Sequence, residues 1–213
     1  YRFIPNKYGK LSEGGRLQCL AVKDQNSMDT RNWNQQNVIL NRQMAVEWID
    51  LDDVGSPEDD LRFRGFAKGA ALFARGEGAW FGDNEFYFAC TNGGGNKTGQ
   101  VFRYIPSPYE GRERENERPG KLELFAESKN KDIMKSCDNL TIAPWGDIVL
   151  CEDDPHPFLV GITRQGEYYK LGENVGFKSE FSGANFSPSG KTLFVNIQGP
   201  GITLAITGPW KLS

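Results

Sequence analysis

Arg75 and several oxygen-bearing side chains are the residues of this sequence best suited to chemistry. Glu77 and Asp138 each stand at the start of a strand-like run, and Asn139 follows Asp138. Carboxylate and amide oxygens are the ligands of a hard cation such as Ca²⁺, which takes about six to eight of them. An arginine beside such a site can grip a phosphate or a carboxylate through two parallel hydrogen bonds. These residue types favour a cation site that also binds an anion.

A second acidic group is formed by Glu152, Asp153 and Asp154, at the end of another strand-like run. These residues could supply further oxygen ligands. Three acids before Pro155 are equally ordinary turn residues, so both interpretations stay open. The acid-rich stretch 50–60 lacks the spacing of an EF-hand, and we interpret it as a loop followed by a helix start.

Other chemistries find little support. His156 is the only histidine and lies between two prolines, which is a poor position for the proton carrier of a catalytic triad. The four cysteines are far apart and show no C-x-x-C spacing; we expect small buried side chains, and a disulfide stays open. The glycine-rich stretch 92–99 differs from a phosphate loop, because Asn96 precedes Lys97 and a strand follows.

Internal repeats indicate the elements that must position the acids. The run YRFIP at residues 1–5 reappears as FRYIP at 102–106. The run LTIAPWGDIVLCED at 140–153 is matched by ANFSPSGKTLFVNI at 184–197. Each run combines short apolar strands with a glycine-containing turn, which is typical of hairpins. Radial repetition of four-stranded units is the plan of a β-propeller.

The sequence therefore predicts an all-β protein, a partial β-propeller over residues 1–213 with about three and a half four-stranded blades. One short helix is expected outside the blades, with Ser56 as its cap and an end near Lys68. The charged stretch Glu110–Pro119 is expected to be a solvated loop. The expected divisions are blade units at about 71–126, 136–171 and 181–207, outer strands of an earlier blade at 1–22, and a helix-containing insertion at about 50–69.

Propeller geometry would bring distant residues together. When the units are aligned by their turns, Glu77, Asp138 and Ser182 fall at the start of the first strand of each blade. That strand lines the central channel, so equivalent positions converge at one end of the axis. Arg75 would point the same way, because side chains two residues apart share a face of a strand.

The same residues carry a family resemblance. The run FARGEG at 73–78, the run DNL at 138–140 and the stretch from PWG at 144–146 to CED at 151–153 resemble the PhoX-type alkaline phosphatases. The closing runs FSGANFSP at 181–188, QGPG at 198–201 and GPW at 208–210 do so as well. The resemblance covers nearly the whole chain.

The resemblance implies a propeller with calcium and iron on its axis that hydrolyses phosphate monoesters. By position, Glu77, Asp138 and Glu152 would be calcium ligands, with Asn139 and Asp153 as further metal ligands. Arg75 would be the catalytic residue that binds the substrate phosphate. Family members are about twice as long, and their first half supplies further ligands, including a cysteine to iron. The chain is therefore expected to be a fragment, or the C-terminal part, of such an enzyme, inactive by itself and needing that half or another chain to close the ring.

Two other functions fit the same fold. One is a non-catalytic propeller that serves as a binding or assembly module, because fold does not determine function. The other is a calcium-dependent hydrolase of lactones. The net charge of −3 does not favour a nucleic-acid partner, and no apolar run is long enough for a membrane span. The resemblance implies a periplasmic or secreted protein, although these residues include no signal peptide.

Overall fold

The computed structural model describes residues 1–210, and its regular secondary structure consists mainly of antiparallel strands, with one short α-helix. The chain divides into two compact units. The first contains Tyr1–Thr30, Gln43–Phe73 and Ile105–Leu122, and the second contains Arg31–Arg42, Ala74–Tyr104 and the chain from Glu123 onward. The all-β class predicted from the sequence is confirmed. None of the described helices is long and apolar enough to cross a membrane.

The first unit is built on three strands. They are β1 (Arg2–Pro5), β2 (Gly15–Val22) and β3 (Gln43–Leu51), and they pair in that order with antiparallel neighbours. Its small core consists of Cys19, Leu51 and Ala70, with Leu17, Ile49 and Leu61 packed against them. The repeats identified β1 and β2, whereas β3 has no sequence counterpart elsewhere in the chain and was not predicted.

The only described α-helix, α1 (Leu61–Ala67), begins later than the prediction with Ser56 as the cap. The backbone φ of Ser56 is 38° and that of Asp59 is 52°, so a left-handed turn precedes the helix. The Ser56 hydroxyl oxygen accepts hydrogen bonds from the backbone N–H of Asp60 and of Leu61, at 3.1 and 3.0 Å. The serine therefore stabilises the approach to the helix, and the cap position belongs to Asp60.

The charged stretch Glu110–Pro119 was predicted to be a solvated loop, but part of it is ion-paired to the protein. It contains a 3-10 turn, Glu113–Glu117, and two of its carboxylates bind one arginine. Glu110 and Glu115 both accept hydrogen bonds from the guanidinium of Arg2 on β1. That guanidinium also lies 4.4 Å from the ring centre of Trp48. The stretch is thus held to β1 by ion pairs.

The second unit contains three consecutive sets of strands, which begin at β4, β8 and β12 in the numbering given below. The first strand of each set contacts the first strand of the next, since β4 packs on β8 and β8 packs on β12. Paired strands within a set are antiparallel. The strands are β4 (Gly76–Gly82), β5 (Glu85–Cys90), β6 (Gln100–Ile105), β7 (Lys121–Glu127), β8 (Cys137–Ile142), β9 (Ile148–Glu152), β10 (Phe158–Ile162), β11 (Tyr168–Glu173), β12 (Phe181–Phe186), β13 (Thr192–Ile197) and β14 (Ile202–Thr207).

In the middle set, β8 to β11, the strand β9 is buried on both faces. Along β9, Leu150 packs into a cluster with Val101 and Phe125, whereas its neighbour Cys151 packs with Leu193 and Val195. Side chains of a strand alternate between faces, so one continuous apolar run supplies two cores. This stacking fixes the first strands side by side and therefore fixes which of their ends lie together.

Candidate functional site

The starts of β4 and β8 lie against each other with no side chain between them. A Cβ atom on Gly78 would stand 2.5 Å from the Cα of Asn139 and 2.7 Å from the carbonyl oxygen of Asp138, which is closer than real atoms approach. Only glycine fits this contact. The predicted convergence of Glu77 and Asp138 rests on these neighbouring strand ends.

We call the starts of β4 and β8, with Arg75, Glu77, Asp138 and the neighbouring Asp153, the rim. Arg75 lies at its centre. Its guanidinium Nη2 is 3.1 Å from Asp153 Oδ2, and its Nε is 3.4 Å from Glu77 Oε1. Desolvation lowers the pKa of Arg75, but the hydrogen bond to Asp153 and the charges of Asp153, Asp138 and Glu77 outweigh it and raise the pKa. The side chain is half exposed, so the group is permanently charged and open to solvent.

The backbone of Arg75 is held in a rare conformation. Its φ is 48°, in the left-handed region that residues other than glycine seldom adopt. The Arg75 carbonyl oxygen accepts a hydrogen bond from the N–H of Thr91 at 3.0 Å. The Thr91 hydroxyl in turn donates to Asp138 Oδ1 at 3.2 Å. Thr91 therefore links the arginine backbone to the neighbouring carboxylate, a role that the sequence did not reveal.

Glu180, which immediately precedes β12, is a further acid of the rim that sequence reasoning missed. Desolvation raises the pKa of Glu180, and a hydrogen bond to Asp153 and the charges of Asp153 and Asp138 raise it further, to about 7. Arg75 opposes this shift. One arginine thus faces more carboxylates than it can neutralise. Alignment by turns selected Ser182, two residues beyond Glu180, as the equivalent position.

Glu152 is placed differently from the other predicted ligands. It is 1% exposed, and its two carboxylate oxygens accept hydrogen bonds from the backbone N–H of Lys135 and of Phe158, each at 2.9 Å. Burial raises the pKa of Glu152. These contacts brace the chain around β9, and the structure does not bring Glu152 together with Arg75. Asp154 pairs with Lys135 at 2.8 Å, so of the three acids only Asp153 joins the rim.

Two amide oxygens near the rim have no hydrogen-bond partner. The Oδ1 atoms of Asn139 and Asn92 are both buried without one. Buried polar atoms are almost always satisfied, so such an oxygen is a position where a cation could bind. Together with Glu77, Asp138 and Asp153, Asn139 gives an oxygen-only donor set, whose chemistry fits Ca²⁺. Within residues 1–210, however, no three His, Cys, Asp or Glu side chains already surround one point as metal ligands.

The cysteines do not offer a thiolate to a metal. All four are buried and free, and burial raises the pKa of Cys137 and of Cys151 to about 12. The Cys137 sulfur is directed at the carbonyl oxygens of Cys90 and Gln100. A thiol must lose its proton to bind a metal. The described residues therefore fit an oxygen-liganded cation and give no support to a cysteine-bound iron.

The fold and the site together define a class of protein. It is an all-β protein with an arginine among carboxylates at the ends of adjacent strands. The family model for alkaline phosphatase PhoX matches residues 1–201 of the chain. The chain belongs to the PhoX alkaline phosphatase family. Neither a curated protein nor a solved structure is similar enough to the chain to match it.

Proposed function

We propose that the chain is part of a β-propeller and serves a metal-dependent phosphatase that hydrolyses phosphate monoesters. The family relationship supports the phosphatase chemistry. The single observation that carries the rest is the rim geometry, in which Arg75 lies within 3.4 Å of Glu77 and 3.1 Å of Asp153 and is still half exposed. A cation bound by the acids and a phosphate bound by the arginine would lie side by side there.

Glu77, Asp138 and Asp153 are the carboxylates that would hold the cation, with the unpartnered amide oxygen of Asn139 as a neutral ligand. We propose Ca²⁺, because every donor is an oxygen. When bound, a metal ion of this kind offsets the charge of the phosphoryl oxygens and activates an oxygen nucleophile. Iron is implied by the family resemblance alone.

The chain's own groups have separate roles. Arg75 would bind two phosphoryl oxygens through its planar guanidinium and stabilise the charge that develops on them. The Thr91 hydroxyl would hold the Asp138 carboxylate in place. When Asp153 and Glu77 share their charge with a cation, their hold on the guanidinium weakens, and the arginine is left open to the substrate.

The test is hydrolysis of 4-nitrophenyl phosphate by the full-length protein, in Ca²⁺ and after treatment with a chelator. We expect the chelator to abolish turnover reversibly. Glu77→Gln should lower kcat/KM by about a hundredfold or more, since metal-ion stabilisation of a transition state is worth several kcal/mol. Glu167→Gln is the matched control, because Glu167 is exposed in the turn between β10 and β11, at the far end of the strands.

A non-catalytic binding module is the second candidate function, favoured by the absence of a closed set of metal ligands among the described side chains. This alternative predicts no bound metal in the purified protein and no chelator-sensitive turnover. Turnover that is equal in wild type and Glu77→Gln would likewise remove the metal-dependent mechanism. Activity on lactones without activity on phosphates would favour the lactonase alternative.

A further inference from the structure

The last residues of β4, β8 and β12 line a small cavity, at the opposite end of these strands from the rim. Its volume is about 350 Å³, and Trp80, Ile142 and Asn185 contribute to it, one from each strand. A Cβ atom on Gly82 would stand 3.2 Å from the Cγ1 of Ile142, so β4 and β8 are in close contact at this end as well. The residues that line the cavity therefore share one compact space.

The part of the lining that the structure describes has no charged side chain, although 25% of the residues in the chain are charged. The lining side chains are apolar or carry a hydroxyl or an amide group. A ligand that depended on an ion pair would find no partner among them. The lining favours a neutral ligand that combines apolar and polar surface, and the volume lies in the range of small-molecule sites, about 300–1,000 Å³.

Two aromatic rings, those of Trp80 and Phe186, line the cavity. Trp80 is 36% exposed. Phe186 is held by two other rings, since its ring centre lies 5.5 Å from that of Trp145 and 6.0 Å from that of Trp210, both in edge-to-face geometry. Trp145 and Trp210 in turn stack on each other at 5.5 Å. Rings fixed in this way offer a firm surface for the C–H groups of a ligand.

Polar groups stand beside these rings. The indole N–H of Trp80 and the side-chain amide of Asn185 form no hydrogen bond with the described residues. The hydroxyl oxygens of Ser187 and Ser189 lie 3.2 Å apart in the turn after β12, and that of Ser187 accepts the N–H of Thr192 at 3.1 Å. An amide offers donors and an acceptor, and a hydroxyl offers both. The cavity thus combines hydrogen-bonding groups with an aromatic surface.

We propose that this cavity binds one ring of a neutral carbohydrate. A sugar ring has an apolar C–H face, which packs on an aromatic side chain, and hydroxyl groups that donate and accept hydrogen bonds. Trp80 contacts the C–H face, and Asn185 and Ser189 bind the sugar hydroxyls. Five residue steps separate Trp80 from Arg75, roughly 16 Å of extended chain, so the sugar site is distinct from the proposed phosphate site.

The test is saturation-transfer NMR on the full-length protein with the methyl glycosides of glucose, galactose, mannose and N-acetylglucosamine. At least one of these probes should bind, and an NMR titration gives its affinity. Trp80→Ala should weaken that binding about tenfold or more, because the sugar loses its aromatic surface. Asn185→Ala should weaken it about three- to tenfold, because hydrogen bonds to the sugar are lost. Binding of none of the four glycosides, or binding that neither variant changes, would overturn the inference.

Phe81→Ala is the matched control. Phe81 follows Trp80 on β4, is 60% exposed and does not line the cavity, because neighbouring side chains of a strand point to opposite faces. Loss of its ring should leave sugar binding unchanged, and an effect as large as that of Trp80→Ala would contradict the site. Raising the salt concentration from about 50 to about 500 mM should change the affinity by less than twofold, since no charge takes part. A loss of binding at high salt would likewise contradict a neutral site.

Fluorescence quenching separates a sugar site from a cavity filled by another part of the full-length protein. The emission that is lost in Trp80→Phe is that of Trp80. Acrylamide should quench this emission, and the bound glycoside should protect it. If acrylamide does not reach Trp80, another segment covers the cavity and the inference is overturned. The inference is independent of the phosphatase function, since Trp80→Ala should hydrolyse 4-nitrophenyl phosphate with the wild-type kcat/KM.

Discussion

The two units each place one arginine among carboxylates, but the two clusters differ in exposure and in the number of acids around the arginine. In the first unit, Arg2 meets Glu110 and Glu115 with only 12% of its side chain exposed, and Trp48 packs on the guanidinium. In the second unit, Arg75 is 50% exposed and faces Glu77, Asp153, Asp138 and Glu180. The first cluster is ion-paired within the fold. The second has the larger excess of carboxylates over cations and is exposed to solvent, as expected of a site that binds a ligand.

The largest difference between the two arginines should be in catalysis. Arg75→Lys keeps the charge and loses the planar pair of donors, so kcat/KM for 4-nitrophenyl phosphate should fall about a hundredfold. The midpoint of thermal unfolding should change little, because exposed ion pairs contribute about 1 kcal/mol or less. Kinetics and a thermal melt on the same sample check both parts. A normal kcat/KM in this variant would show that the exposed arginine has no role in turnover.

The reverse result is expected for the first unit. Arg2→Met leaves Glu110 and Glu115 without a cation, and the free energy of unfolding should fall by about 2–4 kcal/mol, as for other half-broken buried pairs. Urea unfolding measures the loss, and kcat/KM should stay at the wild-type value. Adding Glu115→Gln to Arg2→Met should recover part of the stability.

The pH dependence of that loss has a definite sign. Burial raises the pKa of Glu115, but its hydrogen bonds and the Arg2 charge outweigh burial and hold the pKa below the ordinary value of 4.5. The stabilisation is therefore fully present above about pH 4.5 and is lost as the pH falls through the lowered pKa. The difference in unfolding free energy between wild type and Arg2→Met should become smaller as the pH is lowered. If this difference in unfolding free energy becomes larger at low pH, the ion pair between Arg2 and Glu115 is contradicted.

The smallest expected effect concerns the excess charge of the rim. Glu180→Gln removes one of the mutually repelling carboxylates, so the metal-free protein should gain about 0.5–1 kcal/mol of unfolding free energy. In saturating Ca²⁺ the wild type should be more stable than Glu180→Gln, because the bound cation raises the unfolding free energy of the wild type more. Thermal melts with and without a chelator measure both. If the variant is less stable in both conditions, the rim is an ordinary ion-pair network.

Sequence repeats predicted strands better than single features did. The all-β class and the strands β1 and β2 followed from alternating apolar residues and recurring turns. The strand β3 was missed because no repeat marks it. The start of α1 was placed too early, because Ser56 and Pro57 resemble a helix start although left-handed residues follow.

For the site, residues fixed by strand order were easier to predict than those set by local geometry. Arg75, Glu77 and Asp138 follow from strand alignment, and the structure brings them to one rim. Glu180 was missed because the alignment by turns selected Ser182, two residues further along the chain. The three acids 152–154 looked equivalent in sequence, but strand alternation and the following turn direct them to different partners.

The lack of a Cβ atom at Gly78 makes the spacing of the rim a property of the main chain. The distance between the strands that carry Glu77 and Asp138 is set by peptide groups in direct contact, not by a side chain that could change rotamer. Peptide contacts of this kind tolerate little variation. Two acids more than fifty residues apart in the sequence are thus held almost as firmly as neighbours on one strand.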